Sequence, residues 1–216
     1  MPADAAAPTP LRRDARENRE RILAAARECF AAEGVDVPVE EIAHRAGVGM
    51  GTLYRRFPTK DDLIDAVLAE ALDAYTRTAQ RFLAEDDPWA GFCGFLERAL
   101  ELHAENLALK DVLASGDHGA EGVEMARERL RPIVARLISR AQEAGALRAD
   151  FSPRDMPIVF WTAGRVIEAT AGVAPELWRR YLALLLDGLR ADCATPLPHR
   201  ALTAPQLARL RAGRRR

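Results

Sequence analysis

Apolar residues recur at helical spacing along nearly the whole chain. Amphipathic runs with this spacing cover residues 88–104, 107–115, 121–144, 155–171 and 175–191. One clear helical face near the N-terminus consists of Ile22, Leu23, Ala26, Cys29 and Phe30. We find no convincing alternation of apolar and polar residues of the kind that marks a strand. The pattern predicts an all-α protein with seven to nine helices.

Capping residues mark where several of these helices begin and end. Thr59, followed three residues later by Asp62, matches a capping box, and Asp87 stands before a proline at a first helical position. Pro132 lies inside an apolar run, so we expect that helix to break or kink there. Glycines that follow a periodic run, and so suit a left-handed helix end, are Gly34, Gly47 and Gly145.

The composition is that of an ordinary globular protein. The chain has 216 residues, of which 49% are hydrophobic and 29% charged, enough for one or two domains with a substantial core. Three cysteines form no disulfide framework and suit a reducing compartment. No run of about 18 apolar residues is present, and the first residues lack the apolar segment of a secretory signal. We therefore expect a soluble cytoplasmic protein that does not enter a membrane.

Residues 36–60 carry the pattern of a helix-turn-helix. Two short helices, Val39–Ala46 and Met50–Arg56, flank a turn that contains two glycines. A tight glycine turn between two short helices is the layout of this DNA-binding motif. The apolar and turn positions expected to hold it together are Ile42, Ala43, Gly47, Val48, Leu53 and Phe57.

The second of these helices carries polar groups that an ordinary core helix does not need. Hydroxyl, phenol, guanidinium and ammonium groups suit phosphate oxygens and base edges of the major groove. The residues that supply them are Thr52, Tyr54, Arg55, Arg56 and Lys60. Lys60 and the backbone N–H groups that follow Thr59 also predict a phosphate site at a helix N-terminus.

These residues resemble the TetR (tetracycline-repressor-like) family of bacterial transcription regulators over about residues 16–75. The ordered set that carries the resemblance is Cys29-Phe30-Ala31-Ala32-Glu33-Gly34, Glu41-Ile42-Ala43, Ala46-Gly47-Val48, Gly51-Thr52-Leu53-Tyr54, Phe57, Lys60 and Leu63. The resemblance implies a symmetric homodimer whose two recognition helices enter successive major grooves of an operator. It also implies a repressor that a small-molecule effector releases.

The same resemblance assigns roles within the recognition helix. Thr52 and the edge formed by Met50 and Gly51 are expected to approach bases. Tyr54, Arg56 and Lys60 are expected to contact phosphates, and Arg55 suits either role. The chain departs from the family pattern at Gly49, at Val37-Pro38 and at Arg56, where the family often has a polar residue, a Thr or Ser, and a His. These departures leave the operator sequence open.

The resemblance and the helical pattern together predict four segments. Residues 1–14 are expected to be a disordered arm, residues 15–75 the DNA-binding domain, residues 76–194 a helical ligand-binding and dimerisation domain, and residues 195–216 a Pro/Arg-rich tail. The formal net charge is -1. It is about +1 over residues 1–60 and about -7 over 61–204, so the basic footprint is local.

Two basic stretches outside the helix-turn-helix have open interpretations. Arg12-Arg13 would either reach the minor groove as a flexible arm or serve as a solubilising tail. The arginines of residues 205–216, which give this stretch a charge of about +5, would either bind polyanions or form a solvated tail, and we favour the solvated tail.

Candidates for the effector site and the dimer interface come from the apolar helices. Aromatic residues with a few polar neighbours suit a ligand cavity, although for any single residue we favour ordinary core. Candidate pocket residues are Phe92, Phe95, His103, Trp161 and Arg165. By the family pattern the last two helices pair with a second copy, and the candidate interface residues are Trp178, Tyr181, Leu182, Leu185 and Leu189.

No motif for catalysis, metal binding or a cofactor is present. The four histidines show no ligand spacing with one another or with a cysteine pair, and no nucleophile elbow, HExxH, dinucleotide or P-loop motif occurs. The expectation is a regulator without catalytic residues, metal or cofactor. An all-helical enzyme, a regulator that needs no small molecule, and a helix-turn-helix that binds protein remain as alternatives.

Overall fold

The computed structural model describes residues 10–105, 121–192 and 194–213, and these residues form an all-α protein. The prediction of an all-α fold is confirmed, and the helices in the described part number nine. An isolated antiparallel bridge joins Leu147 to Arg190. The predicted run at 107–115 lies outside the described residues. The helices are α1 (Pro10–Glu33), α2 (Val39–Ala46), α3 (Met50–Arg56), α4 (Lys60–Leu83), α5 (Pro88–Glu105), α6 (Glu121–Glu143), α7 (Met156–Thr170), α8 (Leu177–Leu189) and α9 (Ala204–Gly213).

The predicted caps are confirmed. The Asp62 N–H donates to the Thr59 hydroxyl oxygen at 3.1 Å, and the Asp62 carboxylate accepts from the Thr59 N–H at 2.9 Å. Asp87 accepts from the N–H of Trp89 at 2.9 Å, as a residue before a helix should. The three glycines named from the sequence have left-handed φ angles: 84° at Gly34, 62° at Gly47 and 68° at Gly145.

Three expectations about helix limits are corrected. The expected break at Pro132 is wrong, since α6 continues through it with buried Val123 and Ala126 before and Leu137 and Ile138 after, whereas the alternative of a kink there stays a prediction. α1 begins at Pro10, so residues 10–14 belong to a helix and not to a disordered arm. Proline is readily accommodated at a first helical position, where its missing N–H has no partner to lose.

The third correction concerns residues 195–216, expected to be a Pro/Arg-rich tail, because this stretch also contains the helix α9. Thr203 and Gln206 cap this helix reciprocally. The Gln206 side-chain oxygen accepts from the Thr203 N–H at 2.9 Å, and the Thr203 hydroxyl accepts from the Gln206 N–H at 3.4 Å. A threonine with a glutamine three residues later is a capping-box pattern, so this helix had a readable signal in the sequence.

The helices share one apolar core, and α4 connects its two parts. Ile22 and Phe30 of α1 are fully buried against the short helices α2 and α3, and Leu63 at the start of α4 is buried with them. α4 has 24 residues, a length of about 36 Å. Along this length it packs against α1 at its beginning and against α5 and α6 further on. α8 packs on α7 and α5.

Ionic contacts fix α4 to its neighbours along its length. Glu70 lies 3.9 Å from Arg19 and 3.8 Å from Arg27, both on α1. Near the other end, Arg140 of α6 donates to the main-chain oxygens of Leu83 and Glu85, the latter at 3.0 Å. The helix that leaves the helix-turn-helix is therefore held by α1 near its middle, at Glu70, and by α6 at its C-terminal end. None of the helices in the described ranges combines the length and apolarity needed to cross a membrane.

Candidate nucleic-acid interface

The turn between α2 and α3 depends on Gly47. Its φ of 62° and ψ of 39° place it in the left-handed region, which strains a residue with a Cβ. The Gly47 N–H donates to the His44 oxygen at 3.0 Å, and the Val48 N–H donates to the Ala43 oxygen at 3.0 Å. These two bonds close the end of α2 and direct the chain into α3.

Apolar anchors set the angle of α3. Leu53 and Phe57 are buried, and the Arg19 guanidinium lies 5.7 Å from the centre of the Phe57 ring. Ile42 and Ala43 are buried on α2, and Val48 is half-buried at the corner. The residues expected to hold the motif together therefore lie in its core or at its turn.

The other face of α3 is exposed to solvent. Tyr54 is 45% exposed, and Arg55 and Arg56 are exposed beside it. Gly51 is exposed, with open space where a side chain would stand. Thr52 is half-buried at the edge of the same face. The six-residue stretch 51–56 thus presents hydroxyl, phenol and guanidinium groups together.

Met50 and Lys60 stand at the borders of this face. The side chain of Met50 is half-buried and packs against the core, so it is less available to a base edge than its neighbours. Lys60 is half-buried at the first position of α4. All seven DNA-contact candidates therefore lie on α3 or at the first position of α4, and Met50 packs against the apolar core.

The positive charges of α3 form no ion pair with any residue that the structure describes. Among the described residues, Arg55, Arg56 and Lys60 make no ion pair. Arg45 on α2 differs, since it lies 3.5 Å from Glu33 and 3.0 Å from Glu41. The charges of α3 are therefore available for phosphates.

Arg55 has one partner on its own helix. Its Nη2 donates to the Thr52 hydroxyl oxygen at 3.3 Å. This bond leaves the Thr52 hydroxyl proton and the other guanidinium N–H groups available to a ligand.

Fewer backbone N–H groups are available to a ligand at the start of α4 than the sequence suggests. The capping box uses the N–H groups of Thr59 and Asp62, and the carboxylates of Asp61 and Asp62 lie in the first turn. Those acids stabilise the positive end of the helix in the way that a phosphate would. The phosphate site expected here stays a prediction, and the capping box leaves it fewer backbone N–H groups than the sequence suggested.

Polar residues of α1 lie beside α3, which the sequence pattern did not predict. A cleft between α1 and α3 is lined by Asp14, Ala15 and Asn18 on one side and by Thr52, Arg55 and Arg56 on the other. Asp14 and Asn18 are four residues apart, so they occupy the same helix face. That polar pair was visible in the sequence, but only the tertiary packing places it beside the recognition helix. The side chains of Arg12 and Arg13 lie outside the described residues.

The interface candidates on α8 divide into two groups. Trp178, Leu182 and Leu189 are buried within the protomer, at 3%, 6% and 7% exposure. Their assignment to a dimer interface is corrected, because a side chain that its own chain already covers buries little further area against a second copy. Tyr181 is half-exposed and Leu185 is intermediate, so these two remain accessible candidates.

The five pocket candidates fall into two groups on α5 and α7. Phe92 and Phe95 are core residues, and the Phe92 ring contacts those of Trp89 and Phe151, each with centroids 5.9 Å apart. His103 lies eleven residues after Phe92 on α5, a distance of about 16 Å along the helix. These two parts of the candidate set therefore belong to different regions of the core.

The second region lies between α4, α5 and α7. The His103 ring contacts Phe160 at 6.1 Å, and Phe160 contacts Tyr75 of α4 at 6.0 Å. Burial raises the pKa of Tyr75 above its ordinary value. Trp161 is half-buried on α7, whereas Arg165 is exposed and pairs with Glu168 at 2.7 Å. Phe160 thus contacts both His103 and Tyr75, and Tyr75 is the member of this group that the sequence pattern did not indicate.

The described residues contain no cluster of three or more His, Cys, Asp or Glu that would hold a metal ion. Burial raises the pKa of the Cys29 thiol, and it raises that of Cys93 to about 11. Both thiols are therefore poor nucleophiles near neutral pH. His118 and Cys193 lie outside the described residues.

A three-helix unit with an exposed basic recognition helix, joined to a larger helical bundle, defines a helix-turn-helix DNA-binding protein. The family model described as bacterial regulatory proteins of the tetR family matches residues 22–67. A second model, described as the C-terminal domain of SbtR-like transcriptional regulators, matches residues 87–191. The chain belongs to the TetR family, and it is a DNA-binding transcriptional regulator.

Solved structures support this membership along the chain. A TetR regulatory protein from Mycobacterium vanbaalenii is 33% identical, with a TM-score of 0.62, over 84% of this chain and 99% of that one. A TetR regulator from Streptomyces coelicolor is 32% identical, with a TM-score of 0.61, over 81% and 99% of the two chains. An HTH-type transcriptional regulator of Staphylococcus aureus strain USA300 is 34% identical over 112 residues. That match spans 50% of this chain and 60% of the relative.

Proposed function

We propose that this protein is a repressor that binds a palindromic operator as a homodimer and that a small-molecule effector releases. The observation that carries the proposal is the exposed face of α3, where Arg55 and Arg56 make no ion pair within the described residues and Tyr54 is 45% exposed. A helix this short makes few base contacts, so useful affinity requires two half-sites bound together. Such a repressor acts in the cytoplasm, where the chromosome lies.

Within this proposal, the side chains of α3 and Lys60 of α4 have different roles in DNA binding. Thr52 and the edge at Met50 and Gly51 approach the bases, since Gly51 leaves open space for a groove edge. Tyr54, Arg56 and Lys60 contact phosphates. Arg55 reaches either partner. Phosphate contacts orient the protein on the duplex, and base contacts select the sequence.

The proposed second copy pairs with the outer face of α8. Tyr181 and Leu184 are 50% and 56% exposed there, and they lie three residues apart on one helix face. Burying such apolar area favours association. A two-fold dimer would place two copies of α3 one helical turn of DNA apart, so the operator would be a palindrome.

The proposed effector acts through α4. Residues 15–75 form the DNA-binding domain of this proposal, residues 76–194 the effector and dimerisation domain, and α4 belongs to both. Because α4 packs against α5 and α6, a ligand that prefers one arrangement of these helices also selects one position of the DNA-binding unit. The ligand shifts the equilibrium only by its difference in affinity for the two arrangements.

Selection from a library of random duplexes tests the DNA-binding part. We expect the full chain to enrich a palindrome whose half-sites are about 10 base pairs apart, centre to centre. Arg56→Ala should weaken binding to that palindrome, whereas Arg154→Ala, an exposed arginine between α6 and α7, should not. Failure to enrich any palindrome would contradict the proposal and favour a helix-turn-helix that binds protein.

A thermal-shift screen tests the effector part. A compound that binds only the native state raises the melting temperature, by an amount that grows with its concentration. We expect such a compound also to lower affinity for the selected palindrome. A compound that stabilises the protein without changing DNA affinity would contradict effector release.

A further inference from the structure

The recognition helix has an acidic neighbour from another helix. Asp14 of α1 lines the same cleft as Arg55 and Arg56 of α3, and it is the acidic residue among those that line it. Asp14 is exposed, so its carboxylate is hydrated and charged. A negative charge thus stands beside the positive charges of the surface that would meet DNA.

A carboxylate at that place acts on DNA binding in two ways. It repels the phosphates that pass near it, and it attracts the neighbouring guanidinium groups away from those phosphates. Its influence is local, since charges are screened beyond about 8 Å at physiological salt. Attraction to phosphates supplies essentially all of the affinity for arbitrary DNA, so the carboxylate lowers this affinity.

The same carboxylate lowers the affinity for a matched operator by a smaller factor. Arg55 already donates to the Thr52 hydroxyl at 3.3 Å, which holds it along its own helix. A side chain restrained in this way before binding loses less freedom when it meets a base edge. A base contact by Arg55 would add affinity for the operator that does not depend on attraction to phosphates. Arbitrary duplex depends on that attraction, which the Asp14 carboxylate weakens.

We propose that Asp14 is a specificity-determining residue of the DNA interface, whose carboxylate lowers affinity for arbitrary duplex more than affinity for the operator. This inference rests on the proposed function. Discrimination built from repulsion against wrong partners is a general way to gain specificity. Here the repulsive group comes from α1, outside the helix-turn-helix itself.

Binding of Asp14→Asn to the selected palindrome and to a scrambled duplex of equal length tests the proposal. We expect affinity for the scrambled duplex to rise about threefold or more at physiological salt, with a smaller rise for the palindrome, because a charge near the rim mainly affects electrostatic attraction. The ratio of the two affinities should fall. The slope of log affinity against log salt for the scrambled duplex should steepen by up to about one.

Glu28→Gln is the matched control. Glu28 is exposed on α1, and it lies fourteen residues from Asp14, about 21 Å along the helix. The substitution changes the net charge by the same amount at a distance where screening removes the effect. Asp14→Glu should keep the wild-type ratio, and Asp14→Ala repeats the test with a stronger helix former.

The outcomes separate this inference from the proposed function. A wild-type protein that prefers no duplex over its scrambled version overturns both. A wild-type protein that prefers its palindrome, with Asp14→Asn matching Glu28→Gln in both affinities, overturns only the role of Asp14. A selective loss of palindrome affinity in Asp14→Asn also overturns it, since the carboxylate would then be accepting a hydrogen bond from a base.

Discussion

The guanidinium of Arg129 on α6 lies 2.8 Å from the carboxylate of Asp73 on α4. With the bonds from Arg140 to the end of α4, this pair gives α6 two polar attachments to the helix that leaves the DNA-binding unit. The two attachments are eleven residues apart on α6 and about ten on α4, so the helices run in parallel. These two polar attachments add to the apolar packing between α4 and α6.

Removing the first attachment should have a small effect on stability. Both side chains are about half-exposed, and such pairs contribute at most about 1 kcal/mol. We expect Arg129→Ala and Asp73→Ala to change the free energy of unfolding by less than this amount, measured by urea denaturation. Their double mutant should cost less than the sum of the two single effects. Strict additivity would show that the pair contributes nothing.

Gly47→Ala should destabilise the helix-turn-helix through its backbone. A Cβ at this residue meets only the Arg21 guanidinium, 3.7 Å away, so the cost is the left-handed conformation, about 1–2 kcal/mol. Gly49→Ala is the matched control, because Gly49 has a φ of -73° and open space around it. Equal urea midpoints for the two variants would be inconsistent with this explanation.

Thr59→Ala should weaken the start of α4. The substitution removes the hydroxyl that accepts from the Asp62 N–H, and caps of this kind contribute about 1 kcal/mol. We expect Thr59→Ser to retain most of that stability, since it keeps the acceptor. Thermal melts of the three proteins under one buffer condition provide the comparison, and a Ser variant as unstable as the Ala variant would argue against the cap.

Tyr54 and Thr52 should differ in what their removal does to DNA binding. Tyr54→Ala should weaken binding to all duplexes alike, because a phosphate contact carries no sequence information. Thr52→Ala should also change the preferred sequence, because it removes a hydroxyl proposed to face the bases. Selection from random duplexes distinguishes the two. Recovery of the wild-type site by Thr52→Ala would contradict its base-reading role.

Cys93 should react with iodoacetamide slowly at neutral pH and faster as the pH approaches about 11, its raised pKa. Burial favours the neutral thiol in the folded protein, whereas the unfolded chain ionises nearer pH 9. Stability from this group is therefore complete below about pH 9 and is lost as the pH rises towards 11. Peptide mapping of the alkylated protein follows Cys93 itself, and Cys93→Ser should lack this part of the pH dependence. Rapid alkylation at pH 7 would contradict it.

Local signals predicted much of the architecture. The capping box at Thr59, the left-handed Gly47 and the apolar positions Leu53 and Phe57 all follow from rules that involve neighbours a few residues apart. The expected helix break at Pro132 is wrong, because a local rule met a packed face there. The proline at 132 ends an isolated helix readily, yet buried residues on both sides hold α6 together around it.

The recognition helix and its polar face follow from the sequence by itself, because spacing along a helix determines which side chains share a face. The sequence did not determine what lies across from that face. Asp14 comes beside Arg55 only because α1 packs over the short helices, a contact between residues about forty positions apart. Likewise, the apolar pattern of α8 does not separate Trp178, buried in its own chain, from half-exposed Tyr181. Periodicity finds the apolar side of a helix, but only the neighbouring helices decide how much of that side they cover.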